Sequence, residues 1–336
     1  MNTSSFLNAT EGKRVDEIPV WFMRQAGRSL PGYRALREKY DVLTLTQTPE
    51  LAAQVSLEPI ERLSVDAAIL FADIMLLPIA LGVDVHIVDN VGPVIDKPLT
   101  SHGDIEKLRP FQTDAVAYLQ KTIQILRNEL KVPLIGFSGA PFTLASYLIE
   151  GKPSRSWTVT KRCMYGNPPI WNALMMKLSE AVISYLKMQI AAGVQTVQIF
   201  DSWVGCLSPA DYRTYVLPHM KSIFSALSEN GVPRIHFGTN TAGFLSDFSS
   251  IDCEVIGVDW RISLKDAKHV VGTKSLQGNL DPAVLLADWN DIKERADLLL
   301  SEIDPHQGYI FNLGHGILPE TNDTIVRKLV EYVHSK

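Results

Sequence analysis

Arg24, Arg28, Arg34 and Arg37 fall within fourteen residues, and no aspartate or glutamate lies between positions 18 and 37 to pair with them locally. Guanidinium forks match carboxylate and phosphate oxygens two at a time, and Gly27 lets backbone approach a ligand closely. The segment therefore suits a carboxylate-rich or phosphorylated molecule. Pairing with distant acids is the plainer alternative. Asp73 ends one apolar run, residues 67–72, and precedes another, 74–77. An unpaired buried carboxylate is expensive. Either a nearby arginine or amide satisfies it, or it awaits a ligand that brings N–H donors or positive charge. His315, between Gly314 and Gly316, reads as a ligand-facing turn, whereas His236, between Ile235 and Phe237, reads as core. Tyr147 either presents its hydroxyl to a site or packs on a helix. Ser202 lacks a nucleophile-elbow context, so it is read as a hydrogen-bonding group.

Absent patterns narrow the chemistry. Residues 136–139 lack the lysine that completes a phosphate loop, and no G-x-G-x-x-G, H-E-x-x-H or His-x-Cys spacing occurs. No lysine stands where a strand is expected to end, which disfavours a Schiff base. A cofactor-free site without metal is expected. The formal charge of −5 argues against a nucleic-acid partner. The longest apolar stretch, 67–83, is broken by Asp73 and Pro78 and is too short to span a bilayer, so no membrane partner is expected. Cys163, Cys206 and Cys253 are odd in number and far apart, which suggests a reducing, cytoplasmic setting.

Such residues need a frame. Eight apolar or β-branched runs, at 18–23, 66–72, 133–138, 194–200, 234–238, 255–260, 275–278 and 308–312, recur between helical patterns. Helix starts such as Thr48-Pro49-Glu50, Ser208-Pro209 and Asp281-Pro282 place proline where a missing N–H costs nothing. Alternating strands and helices predict parallel strands and an α/β fold, a single (β/α)8 TIM-type barrel with rim insertions within 74–132 and 139–193. Residues 1–17, polar and without an apolar centre, are expected to be a flexible tail, and 18–336 the barrel. In this architecture chemistry sits where strands exit into helix loops. The exits carry Arg24 to Arg28, Asp73, Ser138, Asp201-Ser202, His236, Asp259, Asn279 and His315.

The segment Pro19-Val20-Trp21-Phe22-Met23-Arg24-Gln25-Ala26-Gly27-Arg28 and the stretch 136–147, GFSGAPFTLASY, resemble the two signatures of the uroporphyrinogen decarboxylase family. Four further blocks, at 71–74, 200–203, 276–282 and 312–316, extend the resemblance across 18–335. It implies a cofactor-free carboxy-lyase of tetrapyrrole synthesis, a homodimer, that removes carbon dioxide from the four acetate arms of uroporphyrinogen III to give coproporphyrinogen III. Carried over by position, the binding residues are Arg24, Gln25, Ala26, Gly27, Arg28, Asp73, Tyr147, Ser202 and His315, with Arg37 a further candidate. Asp73, Arg24 and Arg28 are the expected catalytic groups. Ser29 and Ala72 depart from the family pattern, which commonly has an aromatic and a serine there. Two other readings, a zinc-dependent methyl transferase on the same barrel and a tetrapyrrole carrier, imply different chemistry for the same site.

Overall fold

The computed structural model describes residues 4–88 and 91–336. Seven parallel strands lie side by side in the order β1 (Ala68–Ile69), β4 (Leu134–Gly139), β5 (Thr196–Asp201), β6 (Arg234–Gly238), β7 (Val255–Gly257), β8 (Ser275–Leu280) and β9 (Tyr309–Leu313). The short β2 (His86–Val88) and β3 (Gly92–Val94) form a separate antiparallel hairpin. Residues 18–23 complete the barrel. Val20 bridges Phe311 in parallel, the Phe311 amide donates to Pro19 O at 2.9 Å, and the Asp66 amide donates to Val20 O at 2.8 Å. The segment thus joins β9 to the start of β1, and each of the eight expected runs lies in the wall.

Parallel strands bury both faces, and two apolar clusters result. The larger fills the space between strands and helices. The smaller fills the barrel itself, with Trp21, Ile69, Ile135, Phe137, Ile235, Phe237, Val255 and Ile310. A short polar chain links strands of the wall, Trp21 Nε1 donating to Gln277 Oε1 at 3.0 Å and Gln277 Nε2 to Gln198 Oε1 at 2.9 Å.

The amino-terminal segment corrects an expectation. Within residues 4–17 the chain forms a helix, Ser5–Thr10, instead of a loose tail. Phe6 and Ala9 are fully buried in the barrel-interior cluster. Ser275 Oγ at the start of β8 donates to Ala9 O at 2.7 Å, and the Val15 amide donates to His306 O at 2.8 Å just before β9. These contacts lie at the amino-terminal ends of the strands, so the segment stoppers the floor opposite the expected site. Truncating a buried Phe costs about 3–5 kcal/mol, so Phe6→Ala is expected to lower the denaturation midpoint markedly without changing the urea slope. An unchanged midpoint would show that the stopper contributes nothing to stability.

The rim insertions dock on each other. The Ile95 amide, just past β3, donates to Gly151 O at 2.7 Å, and the Leu99 amide donates to Leu148 O at 2.8 Å. Asn167-Pro168-Pro169 opens the long helix Pro168–Ala192 that returns the chain to β5, its prolines sitting in the first turn where they are tolerated. Asp281-Pro282 starts a 3-10 turn, Pro282–Leu286, rather than an α-helix.

Candidate active site

The loop after residues 18–23 is built around Gln25. Its side chain is fully buried, accepting from the Phe22 amide at 2.9 Å and donating to Ala67 O at 2.9 Å. This brace holds a tight turn in which Arg24 takes a positive φ of 61°, a conformation that costs a non-glycine residue about 1–3 kcal/mol and persists only when its surroundings enforce it. Asn312 helps enforce it, accepting from the Met23 amide at 3.3 Å, while the Ile317 amide donates to Met23 O at 2.9 Å. Gly316 has no side chain because the Arg24 stem lies there: a Cβ would stand 2.4 Å from Arg24 Cδ and 2.6 Å from Cγ.

Arg24 is open to water yet hemmed in by protein, as a side chain lining a concave cup must be. Burial lowers its pKa, and Arg28 lowers it further, while Tyr147 and Asp73 oppose the shift. Asp73 is half-buried in the same cup. Its Oδ1 accepts the Met75 amide at 2.8 Å. Among the described residues Asp73 makes no ion pair, although Arg24 is close enough to favour its charge; burial dominates and raises its pKa. Tyr147, one wall of the cup, is pushed up to about 12, by burial first and then by Asp73. It therefore keeps its proton and can donate. Its ring lies against Trp203, centroids 3.9 Å apart. His315 is pushed down to about 4 by burial and by Arg24, with Asp259 opposing, so its imidazole is neutral near pH 7.

The arginine cluster divides. Among the described residues neither Arg24 nor Arg28 is in an ion pair, and Arg28 is exposed. Arg34 Nη1 instead donates to Arg28 O at 3.1 Å and Ser29 O at 2.8 Å, bracing the loop that carries Arg28. Arg37 Nη1 donates to Tyr40 O at 2.6 Å. Ala26 and Gly27 line the loop half-buried, and a Cβ on Gly27 would come 3.1 Å from Arg24 O. Ser29 is buried beneath the loop, and Ala72 packs between both apolar clusters. Ser202 follows β5 half-buried, its carbonyl accepting from Thr239 Oγ1 at 2.5 Å. His236 is core, stacked on Phe248 with centroids 3.7 Å apart. Arg24, Asp73 and His315, from three strand exits, and Tyr147, from the helix Pro141–Glu150 that follows β4, are thus electrostatic neighbours.

The sequence reading missed Arg261. Its guanidinium lies 4.3 Å over Trp260 and pairs with the buried Asp259, which also accepts the Asn240 amide at 2.7 Å. Arg261 acts electrostatically on His315. The available signal was an aspartate at a strand exit followed two residues later by arginine. It missed Thr143 too: the Thr143 hydroxyl donates to the buried Asp201 at 3.1 Å and accepts the Trp203 amide at 3.4 Å, tying β5 to the helix that presents Tyr147. Burial pushes Asp201 up to about 7.

The family model for uroporphyrinogen decarboxylase matches residues 1–336. The chain belongs to the uroporphyrinogen decarboxylase family. It is 49% identical over 332 residues to a uroporphyrinogen decarboxylase of Bacillus subtilis (strain 168), covering 98% of this chain and 94% of that one. A uroporphyrinogen decarboxylase of Geobacillus sp. (strain WCH70) is 50% identical, covering 98% of this chain and 96% of the relative. Among solved structures, a methyltransferase from Methanosarcina mazei superimposes with a TM-score of 0.80 at 23% identity, covering 98% and 97% of the two chains. That likeness establishes a shared barrel fold and nothing about methyl transfer. As a member of the uroporphyrinogen decarboxylase family the chain is a carboxy-lyase of heme biosynthesis.

Proposed function

We propose that the cup binds uroporphyrinogen III and releases the carboxyl groups of its four acetate arms as carbon dioxide, yielding coproporphyrinogen III. The observation that carries this is a carboxylate, Asp73, set beside Arg24 in a concave site yet in no ion pair among the described residues. A substrate with eight carboxylates explains unpaired arginines on an acidic chain, because bidentate contacts orient the arms at short range. Asp73, acceptor-only when ionised, faces the pyrrole N–H groups.

Breaking the arm's C–C bond leaves an electron pair on the methylene carbon, and that pair needs somewhere to go. Protonating a ring carbon first makes the pyrrole an iminium-like acceptor. The pair then flows into the ring as carbon dioxide leaves, a proton is added at the former methylene to make a methyl group, and the proton first placed on the ring carbon is lost, which regenerates the neutral pyrrole. Asp73 stabilises the cationic ring most where its charge is greatest, which is how a fixed charge lowers a barrier. Arg24 and Arg28 hold carboxylates. Neutral His315 and protonated Tyr147 offer hydrogen bonds without adding charge to the cup.

Anaerobic incubation with uroporphyrinogen III, followed by chromatography of the oxidised products, tests the reading. Products with fewer carboxyl groups are expected. A carrier would return the substrate unchanged. The zinc-dependent alternative is disfavoured by the donor set: Asp84, His86 and Asp96, the grouping of three metal-ligating side chains found among the described residues, is exposed on the β2–β3 hairpin rather than in the cup.

The pH dependence follows from signs. Asp73 acts as an anion and its pKa is raised, so activity falls with acid above the ordinary carboxylate range. Arg24 favours the charged form, so Arg24→Gln is expected to move the acid limb of kcat/KM to still higher pH. A limb that stays in place would assign it to the substrate's own carboxyl groups. A homodimer, as the family resemblance implies, and a cytoplasmic location complete the proposal. The three cysteines are unpaired, as a reducing compartment requires, and no helix of the described residues is long and apolar enough to cross a membrane. Sedimentation of the purified chain reads the dimer.

A further inference from the structure

The rim insertion after Tyr147 carries charge that the chemistry above does not use. From Gly151 to Gly166 the sequence GKPSRSWTVTKRCMYG contains Lys152, Arg155, Lys161 and Arg162 and no acid, on a chain whose formal charge is −5. Lys152, Arg155 and Arg162 are exposed. Among the described residues none of the four makes an ion pair; Lys161 Nζ donates to Cys206 O at 2.6 Å. The adjoining acid, Glu150, is engaged elsewhere, accepting from the Thr160 amide at 2.8 Å and the Thr160 hydroxyl at 3.0 Å. The segment is anchored to the cup through its centre. Trp157 packs edge-on to Trp203, centroids 5.9 Å apart, and Trp203 lies on Tyr147. Its start is held by the other insertion, through Ile95 and Gly151.

We propose that this segment is a cationic collar that captures the polycarboxylate substrate at the rim and raises its rate of arrival in the cup. Cations gathered on one side of an acidic protein, beside a concave site, focus the local potential and accelerate association of anions by roughly 10-fold to 1,000-fold. The effect acts at a distance, through charge rather than shape. It is therefore strong where the screening length is about 30 Å, at 0.01 M salt, and gone where it is about 3 Å, at 1 M.

The collar rests on the uroporphyrinogen reading, and its test is kept separate from that reading. Stopped-flow quenching of tryptophan fluorescence by uroporphyrinogen III, under anaerobic conditions, gives the association rate constant. The triple variant Lys152→Gln, Arg155→Gln, Arg162→Gln is expected to associate roughly tenfold more slowly than wild type at 0.01 M salt and equally fast at 1 M. Its kcat should stay within about twofold, since none of the three acts electrostatically on Arg24, Asp73, Tyr147 or His315. The charge-preserving variant Lys152→Arg, Arg155→Lys, Arg162→Lys should match wild type at both salts. Equal rates at 0.01 M overturn the collar, as does a deficit that salt fails to abolish or one that the charge-preserving variant shares. Wild type that binds but releases no carbon dioxide would instead sink the assigned reaction, leaving the ratio of association rates to judge the collar.

Discussion

Asp73→Asn is expected to cut turnover by roughly 100-fold to 1,000-fold while the protein stays folded, the cost typical of removing one preorganised electrostatic contact to a reacting centre. The substitution conserves shape, and the amide oxygen still accepts the Met75 N–H that Oδ1 accepts at 2.8 Å. What disappears is the negative charge. Burial raises the pKa of this carboxyl, which means the folded state resists that charge. Removing it should leave the melting temperature unchanged or slightly raised. Single-turnover measurement of carbon dioxide release, set beside a thermal melt, separates the two effects. Near-normal turnover would remove Asp73 from the mechanism, and a collapsed melt would make it a structural residue.

The second large effect belongs to Arg24. Loss of a charge-assisted contact costs about 1.5–3 kcal/mol, so Arg24→Ala should raise KM by roughly 10-fold to 100-fold. Gly316 supplies an independent route to the same result. A methyl group there falls 2.4 Å from Arg24 Cδ and 2.6 Å from Cγ, so Gly316→Ala displaces the guanidinium without deleting it. KM should again rise. Residues acting through one contact are not additive, so the double variant Arg24→Ala, Gly316→Ala should be no worse than Arg24→Ala alone. Additive losses in KM would show that Gly316 serves something other than the placement of Arg24.

The strands were legible because a wall buried on both faces must be built of nearly continuous apolar runs, and each run from residue 18 to 312 lies in the barrel. The exits followed from them, which is why Arg24, Asp73 and His315 come together; Tyr147, inside the helix Pro141–Glu150, was reached only through the family resemblance. The floor was not legible. Phe6, Ala9 and Val15 are too few and too scattered among polar residues to make a periodic pattern, and the six-residue helix is fixed only by what it touches. Individual roles within a motif were equally hidden. Gln25 and Arg34 carry the same polar character as Arg24 and Arg28 in sequence, yet one braces the wall against Ala67 and the other secures the loop carbonyls. Arg261 went unnoticed although Asp259 stood at an expected strand exit, because only tertiary packing buries that carboxylate against the arginine two residues on.

Arg14 reaches Asp304 across 290 positions, and Ser275 meets Ala9 across 266. A ribosome therefore delivers Phe6 and Trp21 long before the strands that will cover them exist. The nascent chain must carry these greasy side chains uncovered until residues 304–313 emerge, and only then do these two distant segments lock together. Synthesis that halts before residue 309 leaves the wall unsealed and the bottom open at once, so incomplete chains are natural clients for chaperones and proteases rather than partly working enzymes.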